Sequence, residues 1–377
     1  DAHALTKNVA HSAKVTIAEG GETAEIVNGK IKATVNGVGI ICFYKDNELI
    51  LQDYYSYYYG YIRMEAICYK IRSREYKGLA SDDFKITVRF ESDPKEKLFG
   101  MGQYQMPILD LKGSVLPLEQ RNSQVSVPFV VSNKGYGMLW NNPSTGEAAF
   151  GTNITKWISD ESDMVDYWIT ADDTPAQIVT NYTECVGRAP VMSKDYLGLW
   201  QCKLRYRTPD EVLEVARKYK ELGIKLDVIV IDFFHWPHQG DWRFDEKYWS
   251  RDAVKAMTDE LHAMGTKVMV SVWPSVDKRS ENYYEMEQKA LMSTTDVGSV
   301  QTYDYEGDCG TVDFFNPEAQ KFVWSKCKQN YRDWGIDLFW LDNSEPDSTT
   351  YDFENYRYYT GRGSKVGCEY PKKYVEA

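Results

Sequence analysis

IDLFWLDNSEPD, residues 336–347, joins a short apolar run to three carboxylates. The apolar run, 338–341, stops at Asp342, and Glu345 and Asp347 follow it closely. A short continuous apolar run that ends at polar residues is typical of a buried parallel strand. Because the working groups of a barrel lie where its strands end, Asp342 is the first candidate for chemistry.

Three earlier apolar segments show the same pattern of a strand that ends at a functional side chain. YLGLWQCKLRY ends near Arg205, KLDVIVIDFF at Asp232 and KVMVSVW at Trp273. The carboxyl ends of parallel strands converge on one face of a barrel, so these residues are expected to lie near Asp342. A doubly wound nucleotide-binding sheet would show a glycine-rich turn after a strand, and the sequence contains no GxGxxG. The pattern therefore favours a (β/α)8 TIM barrel.

Helical patterns separate the predicted strands. Thr208 suits the N-cap of the first of them, because Pro follows it at N1 and Glu comes three residues later. The predicted helices cover 209–223, 252–264 and 317–334. The segment 275–313 has weak periodicity, which predicts an inserted subdomain on the active face.

The predicted barrel has only four strand and helix units. A closed barrel needs eight strands, and the sequence ends at Ala377, shortly after Tyr370 and Pro371 suggest the start of a fourth helix. Half a barrel would leave a strand edge and its inner layer open to water. We therefore expect the chain to be truncated, with the C-terminal remainder of the same protein absent or supplied as another chain.

The first half of the sequence differs in character. From about Thr23 to Asn181, alternating or β-branched segments are separated by Gly, Asn, Asp and Pro turns. This spacing predicts a β-sandwich. The expected fold is multidomain, β plus α/β: an N-terminal β-sandwich domain over 1–190, and a catalytic domain over 191–377 with the first four β/α units and the insert.

Composition excludes several classes of function. A formal net charge of -12 argues against nucleic-acid binding, and no apolar run is long enough for a membrane span. The seven cysteines are scattered without a CxxC pair, which predicts neither a disulfide framework nor a zinc site and favours a reducing, cytoplasmic compartment. A secreted or periplasmic location stays open, because removal of a signal peptide would leave the same N-terminus.

The loop HWPHQGDW after the second strand also admits a metal site. His235 and His238 could join Asp232 and Asp241 in a cluster, but HWPH contains a proline and supplies no third strong ligand spacing. A loop that shapes a substrate site is the favoured interpretation, and neither a metal nor a cofactor is expected.

Eight segments resemble, in order, glycoside hydrolase family 31, the retaining α-glycosidases that include α-glucosidases and α-xylosidases. FGMGQYQ and PFVVSNKGYGMLW resemble signatures of the family's N-terminal β-sandwich. Six further segments resemble the family's first four barrel units: LGLWQCKLRY, VIVIDFFHW, FDEKYW, VMVSVWP, DFFNPEAQKFVW and LFWLDNSEP. The ordered resemblance extends over nearly the whole chain.

The resemblance implies roles for individual residues. Asp342 matches the catalytic nucleophile, and Asp232 matches a carboxylate that holds hydroxyls of the sugar in the cleaved subsite. Trp273 and Trp340 match positions that line this subsite, and Glu345 matches a supporting acidic residue. The remaining substrate-binding candidates are Arg205, at the end of the first predicted strand, and His235 and Trp236, in the loop after the second. An ion pair from Asp232 to a nearby cation is the structural alternative.

Cleavage with retention needs two carboxyl groups about 5 Å apart, one to attack the anomeric carbon and one to protonate the leaving oxygen. Nothing in the chain matches the family's acid/base motif, so that group is expected beyond Ala377, and the chain alone is expected to be inactive. Glu345 and Asp347 are not assigned that role.

The expected activity is exo-hydrolysis of terminal α-linked sugar from an oligosaccharide substrate. The GMGQYQ, FHWPHQGDW, SVWP and LDNSEP segments resemble α-xylosidase-like members most, so an α-xylosidase is expected first. An α-glucosidase and an α-transglycosylase of the same family remain alternatives. A non-catalytic carbohydrate-binding protein is an alternative of a different class, and a homo-oligomeric state stays open.

Overall fold

The computed structural model describes residues 4–5, 12–55, 71–345 and 353–377. Contacts divide the chain into two compact units, Asp1–Ala189 with Ser364–Cys368, and Pro190–Gly363 with Glu369–Ala377. The sequence places 364–368 in the barrel domain, whereas their contacts lie with the first unit. There, Lys365 Nζ pairs with Asp83 Oδ1 at 2.9 Å.

The first unit is built from antiparallel strands in three sheets. Their orders are β1-β2-β3-β4-β5, β14-β11-β10-β8 and β6-β7-β13-β12-β9. The strands are β1 Lys14–Ile17, β2 Ala24–Asn28, β3 Ile31–Val35, β4 Ile41–Lys45, β5 Glu48–Gln52, β6 Arg74–Gly78, β7 Phe84–Glu91, β8 Leu98–Gln103, β9 Val115–Leu118, β10 Val125–Ser132, β11 Tyr136–Trp140, β12 Gly146–Phe150, β13 Ile154–Ser162 and β14 Tyr167–Ala171. Helix α1, Pro175–Val186, follows them. The predicted N-terminal β-sandwich is confirmed.

Alternation along β7 explains how this unit builds its core. Ile86, Val88 and Phe90 are completely buried, while the residues between them are partly exposed. Val88 pairs with Trp157 on β13, whose ring stacks on Trp140 at 6.0 Å between centroids. Each such fully buried side chain contributes roughly 1.5–3 kcal/mol through removal of apolar surface from water.

The elements after α1 alternate strands and helices, with a separate group of short elements after β17. They are β15 Trp200–Lys203, α2 Pro209–Glu221, β16 Val228–Ile231, α3 Arg251–Ala263, β17 Lys267–Val272, β18 Ser275–Asp277, α4 Tyr283–Gln288, β19 Thr302–Asp304, β20 Asp308–Thr311, α5 Pro317–Asn330, β21 Leu338–Leu341, β22 Arg357–Tyr358, β23 Gly361–Arg362, α6 Gly363–Val366 and α7 Tyr370–Glu376. Four of these strands form a parallel sheet in the order β15-β16-β17-β21. This is the predicted first half of a (β/α)8 barrel.

The covering helices begin at side-chain caps that satisfy free backbone N–H groups. Thr208 Oγ1 accepts from Glu211 N, Ser250 Oγ from Ala253 N, and Asn316 Oδ1 from Glu318 N. Gly335 ends the turn before β21 in the left-handed region, with φ of 99°. A Cβ there would lie 2.5 Å from Thr258 Oγ1, so only glycine fits the turn that leads into β21.

Strand β21 is less buried than the sequence predicts. Its residues are partly buried, and Trp340 is 40% exposed. Within the described residues β21 pairs with β17 on one side and has no strand on the other. A strand at the edge of a sheet keeps part of its side-chain surface in water, which explains the difference.

The insert after β17 is a small antiparallel sheet in the order β18-β20-β19, with α4 beside it. Its hairpin turn packs closely on Asp277, because a Cβ at Gly307 would lie 2.0 Å from Asp277 Oδ2. Arg279 Nε and its backbone N–H both donate to Asp277 Oδ1, at 2.9 and 2.8 Å. The insert therefore has defined structure despite the weak periodicity of its sequence.

Candidate active site

Strand register brings three predicted site residues to one edge of the parallel sheet. Val272 pairs with Leu341, so the next residues, Trp273 and Asp342, leave their strands at the same level. Ile231 pairs with Val270, which places Asp232 at the same edge on the neighbouring strand. The carboxyl edge of the sheet therefore holds two carboxylates and an indole.

Asp342 is held by hydrogen bonds to backbone and side chain. Its backbone N–H donates to Val272 O at 3.1 Å. Trp273 Nε1–H donates to Asp342 Oδ2, also at 3.1 Å. Within the described residues Oδ1 has no hydrogen-bond donor. One carboxylate oxygen is thus fixed by the indole, and the other has capacity left to accept or to react.

Trp273 lies at the centre of an aromatic cluster and is 3% exposed. The ring centroids of Phe233, Trp236 and Tyr305 lie 5.0, 5.5 and 5.6 Å from that of Trp273. Trp242 Nε1–H donates to the Trp273 carbonyl at 3.0 Å, which fixes the backbone. This wall surrounds the indole that donates to Asp342 with apolar rings, which strengthens that polar contact.

Asp232 is 8% exposed and has two neutral donors. Phe233 N–H donates to Oδ1 at 2.8 Å, and the Cys202 thiol donates to Oδ2 at 3.6 Å. Burial, followed by the charge of Asp232, raises the pKa of Cys202 to about 11, so the thiol keeps its proton. In the described part of the chain Asp232 has no ion pair, and Arg205 instead lies over the Phe234 ring at 4.7 Å. Asp232 is therefore a buried carboxylate with capacity for further hydrogen bonds.

His235 is buried within the loop that follows Asp232. The ring is 1% exposed, with Nδ1 3.0 Å from Asp232 O and Nε2 2.9 Å from the Tyr331 hydroxyl. A carbonyl only accepts, so Nδ1 carries the hydrogen and Nε2 accepts from Tyr331, whose pKa burial holds well above its usual range. Both nitrogens are occupied inside the loop. The contact of His235 with substrate stays a prediction, and its hydrogen bond to Asp232 O places the ring beside the backbone of Asp232.

The neutral, buried His235 predicts a loss of stability in mild acid. Burial lowers the pKa of His235 from 6.5 to about 4, whereas the unfolded chain protonates near 6.5. Stability is therefore lost as pH falls from about 6.5 to about 4, by roughly 3 kcal/mol at most. We expect His235→Gln to flatten the pH dependence of the thermal unfolding midpoint over this range.

The control for this measurement is the wild-type protein under identical buffers. Burial raises the pKa of Asp313 to about 6, so that carboxyl titrates in the same window. Because its contribution is common to both proteins, it cancels in the difference between the two pH profiles. Equal slopes for the variant and the wild type would contradict the assignment of His235.

The other candidates lie around this edge. Trp236 is buried, with its ring 4.7 Å from that of His235. Trp340 is half-exposed on β21, and Glu345, the last residue of the described range 71–345, is partly buried. Asp347 lies outside the described residues.

Three residues that contact candidate site residues were not predicted from the sequence: Cys202, Tyr331 and Tyr305. The sequence signal for Cys202 was its position near the end of the first predicted strand, beside the strand that ends at Asp232. The structure pairs Cys202 with Val230 in the register of β15 and β16. Tyr331 meets His235 across 96 residues of sequence, for which no local pattern exists.

No group of three or more His, Cys, Asp and Glu side chains is placed to hold a metal ion in the ranges that the structure describes. His238 N–H instead donates to Asp241 Oδ2 at 3.0 Å, a contact that shapes the loop. Among the described helices, none combines the length and apolar character required to cross a membrane.

Sequence relatives agree with this architecture. A family profile described as "Glycosyl hydrolases family 31 TIM-barrel domain" matches residues 189–369. The chain is 45% identical over 374 residues to "Uncharacterized family 31 glucosidase ORF2" of Pseudescherichia vulneris, covering 97% of this chain and 70% of that protein. It is 36% identical over 280 residues to "Alpha-xylosidase A" of Aspergillus niger, covering 72% of this chain and 37% of that protein.

A solved structure gives the same result. The GH31 alpha-xylosidase from a soil metagenome, complexed with xylose, matches with a TM-score of 0.92 and 45% identity, covering 100% of this chain and 56% of that one. The chain thus spans about half the length of that enzyme. The resemblance found in the sequence is confirmed, and the chain belongs to glycosyl hydrolase family 31.

Proposed function

We propose that the protein containing this chain is a retaining exo-α-glycosidase that releases terminal α-linked xylose from oligosaccharides. The observation that carries the proposal is Asp342, directly after β21, with Oδ2 bound by Trp273 Nε1 and Oδ1 without a donor among the described residues. Asp232 at the same sheet edge supports it, since carboxylates beside aromatic walls suit hydroxyl-rich rings.

In this mechanism Asp342 Oδ1 attacks the anomeric carbon and forms a glycosyl-enzyme ester, while a carboxylic acid protonates the departing oxygen. Water then gives a proton to the carboxylate that acted as the acid and attacks the same carbon, and the ester bond breaks with overall retention. Asp232 accepts hydrogen bonds from sugar hydroxyls, and Trp273 closes the wall of the subsite, with Trp340 beside it. The acid/base is expected from the part of the complete protein beyond Ala377.

Xylose is the proposed sugar because two relatives are called alpha-xylosidases. The Aspergillus niger relative is called an alpha-xylosidase, and so is a relative from Saccharolobus solfataricus at 34% identity. Glucose is the second candidate, because the relative with 45% identity is called a glucosidase. The two sugars differ by one hydroxymethyl group, so the choice depends on room around C6.

A panel of p-nitrophenyl α-glycosides, assayed on the complete protein, tests the proposal. We expect kcat/KM for the α-xyloside to exceed that for the α-glucoside at least about tenfold, a typical discrimination for one carbon unit. Proton NMR should show α-xylose as the first product.

Other outcomes would contradict the proposal in distinguishable ways. A preference for the glucoside would make the protein an α-glucosidase. Products of sugar transfer at high substrate concentration would indicate a transglycosylase. Sugar binding without turnover would indicate a carbohydrate-binding protein, and β-xylose as first product would exclude the retaining mechanism.

A further inference from the structure

The turn between β19 and β20 presents an aromatic ring beside the wall of the candidate site. Tyr305 is 47% exposed, whereas its neighbour Trp273 is 3% exposed. Their ring centroids lie 5.6 Å apart, with an interplanar angle of 31°. Tyr305 therefore extends the aromatic wall outward, one ring farther from Asp342 than Trp273 is.

The turn is held in place by buried polar side chains. Gln239 is buried, and its Nε2 donates to the Tyr305 carbonyl at 2.8 Å. Ser275 Oγ and Cys309 Sγ both donate to Gln239 Oε1, at 2.5 and 3.4 Å. With the close packing of Gly307 on Asp277, these bonds fix the position of Tyr305 before any ligand arrives.

Open space lies beside the turn. A cleft of about 510 Å³ is bordered by Glu306, the residue after Tyr305, and by Arg205, Phe233 and Phe234 at the strand ends. This volume lies within the range of small-molecule sites, roughly 300–1,000 Å³. The cleft therefore reaches the turn at Glu306 and is large enough to hold a sugar ring.

We propose that Tyr305 is the stacking platform for the sugar on the leaving-group side of the scissile bond, which rests on the proposed glycosidase function. The terminal sugar lies against Asp342 and Trp273, so the next sugar in the chain lies one ring farther out, beside Tyr305. The exposed phenol ring packs on the C–H face of that second pyranose, a neutral ring rather than a charged group. Tyr305 thereby selects oligosaccharides over substrates with a small leaving group.

The test compares two substrates of the complete protein. A xylosyl-capped oligosaccharide carries a leaving-group sugar, whereas α-xylosyl fluoride carries only one atom on that side. We expect Tyr305→Ala to lower kcat/KM for the oligosaccharide about threefold to tenfold, the loss of one ring-stacking contact. Hydrolysis of the fluoride should fall by a clearly smaller factor, because the fluoride has no second sugar that could lose the contact.

Two variants control the comparison. Tyr305→Phe keeps the ring and should keep oligosaccharide activity. Tyr284→Ala removes another exposed tyrosine of the insert and should change neither substrate. An equal loss on both substrates, or no loss on either, would overturn the platform role of Tyr305.

A wrong glycosidase proposal would give a result that differs from a wrong role for Tyr305. If wild-type protein hydrolyses neither substrate, the glycosidase proposal is wrong, and Tyr305 is judged by calorimetric binding of the same oligosaccharide. A Kd raised about threefold to tenfold in Tyr305→Ala would still support the stacking contact. An unchanged Kd would overturn it.

Discussion

Asp342→Ala in the complete protein is expected to lower kcat for an α-xyloside by roughly 10⁴-fold or more, the scale seen when a covalent nucleophile is removed. The substitution removes the oxygen that would form the ester and leaves the backbone hydrogen bond from residue 342 to Val272 O in place. Steady-state kinetics with p-nitrophenyl α-xyloside measure the loss, and thermal unfolding checks that the fold is kept.

Rescue by azide separates a nucleophile from a residue that only supports the fold. A small anion in the vacated space should attack the anomeric carbon of an activated substrate and give the β-glycosyl azide, with inverted configuration. Asp333→Ala is a matched control, because Asp333 is an exposed aspartate shortly before β21 that pairs with Lys328. Activity of Asp342→Ala within tenfold of wild type, or an α-configured azide, would disprove the assignment.

Asp232→Ala is expected to lower kcat/KM for the same substrate by roughly 10²- to 10⁴-fold. A buried carboxylate that accepts two sugar hydroxyls contributes roughly 1.5–3 kcal/mol for each hydrogen bond. The measurement is kcat/KM with p-nitrophenyl α-xyloside and with its 4-deoxy analogue. The deoxy substrate should be less sensitive to the substitution if the 4-hydroxyl is one of the two partners.

Cys202→Ala supplies the comparison for Asp232. It removes the thiol donor to Oδ2 but keeps the carboxylate, so its effect should be at least tenfold smaller. Asp259→Ala, on the exposed face of α3, should have no effect. Loss of no more than threefold in Asp232→Ala would restrict Asp232 to a role in the fold.

Sequence patterns were sufficient for the fold because the signals are local. Thr208, Ser250 and Asn316 cap helices through contacts within three residues, and the apolar runs of the inner strands need no knowledge of distant partners. Asp342 and Trp273 lie at the same level because of the register between β17 and β21. The predicted ends of the two strands already imply this register. Placement at one edge was therefore predictable from the ends of the strands.

The details that the sequence did not predict depend on contacts between distant residues. The occupation of both nitrogens of His235 requires Tyr331, and the outward aromatic wall requires Tyr305 from an insert with weak periodicity. The exposure of Trp340 depends on which strands flank β21, which the apolar run alone does not reveal. Hydrogen-bond direction and exposure are properties of the assembled packing, so composition and spacing do not specify them.

One carbonyl oxygen ties the candidate nucleophile to the helical layer. Val272 O accepts the backbone N–H of Asp342 at 3.1 Å and also the Tyr374 hydroxyl of α7 at 2.7 Å. Strand ends are ordinarily where sheets fray and open locally. Here the helix pins the last residue of β17, and through it the first residue beyond β21. Fraying that would displace Asp342 from the sheet edge must first break the buried hydrogen bond of Val272 to α7. The stiffness at the candidate nucleophile therefore comes from an element that supplies none of the candidate site residues.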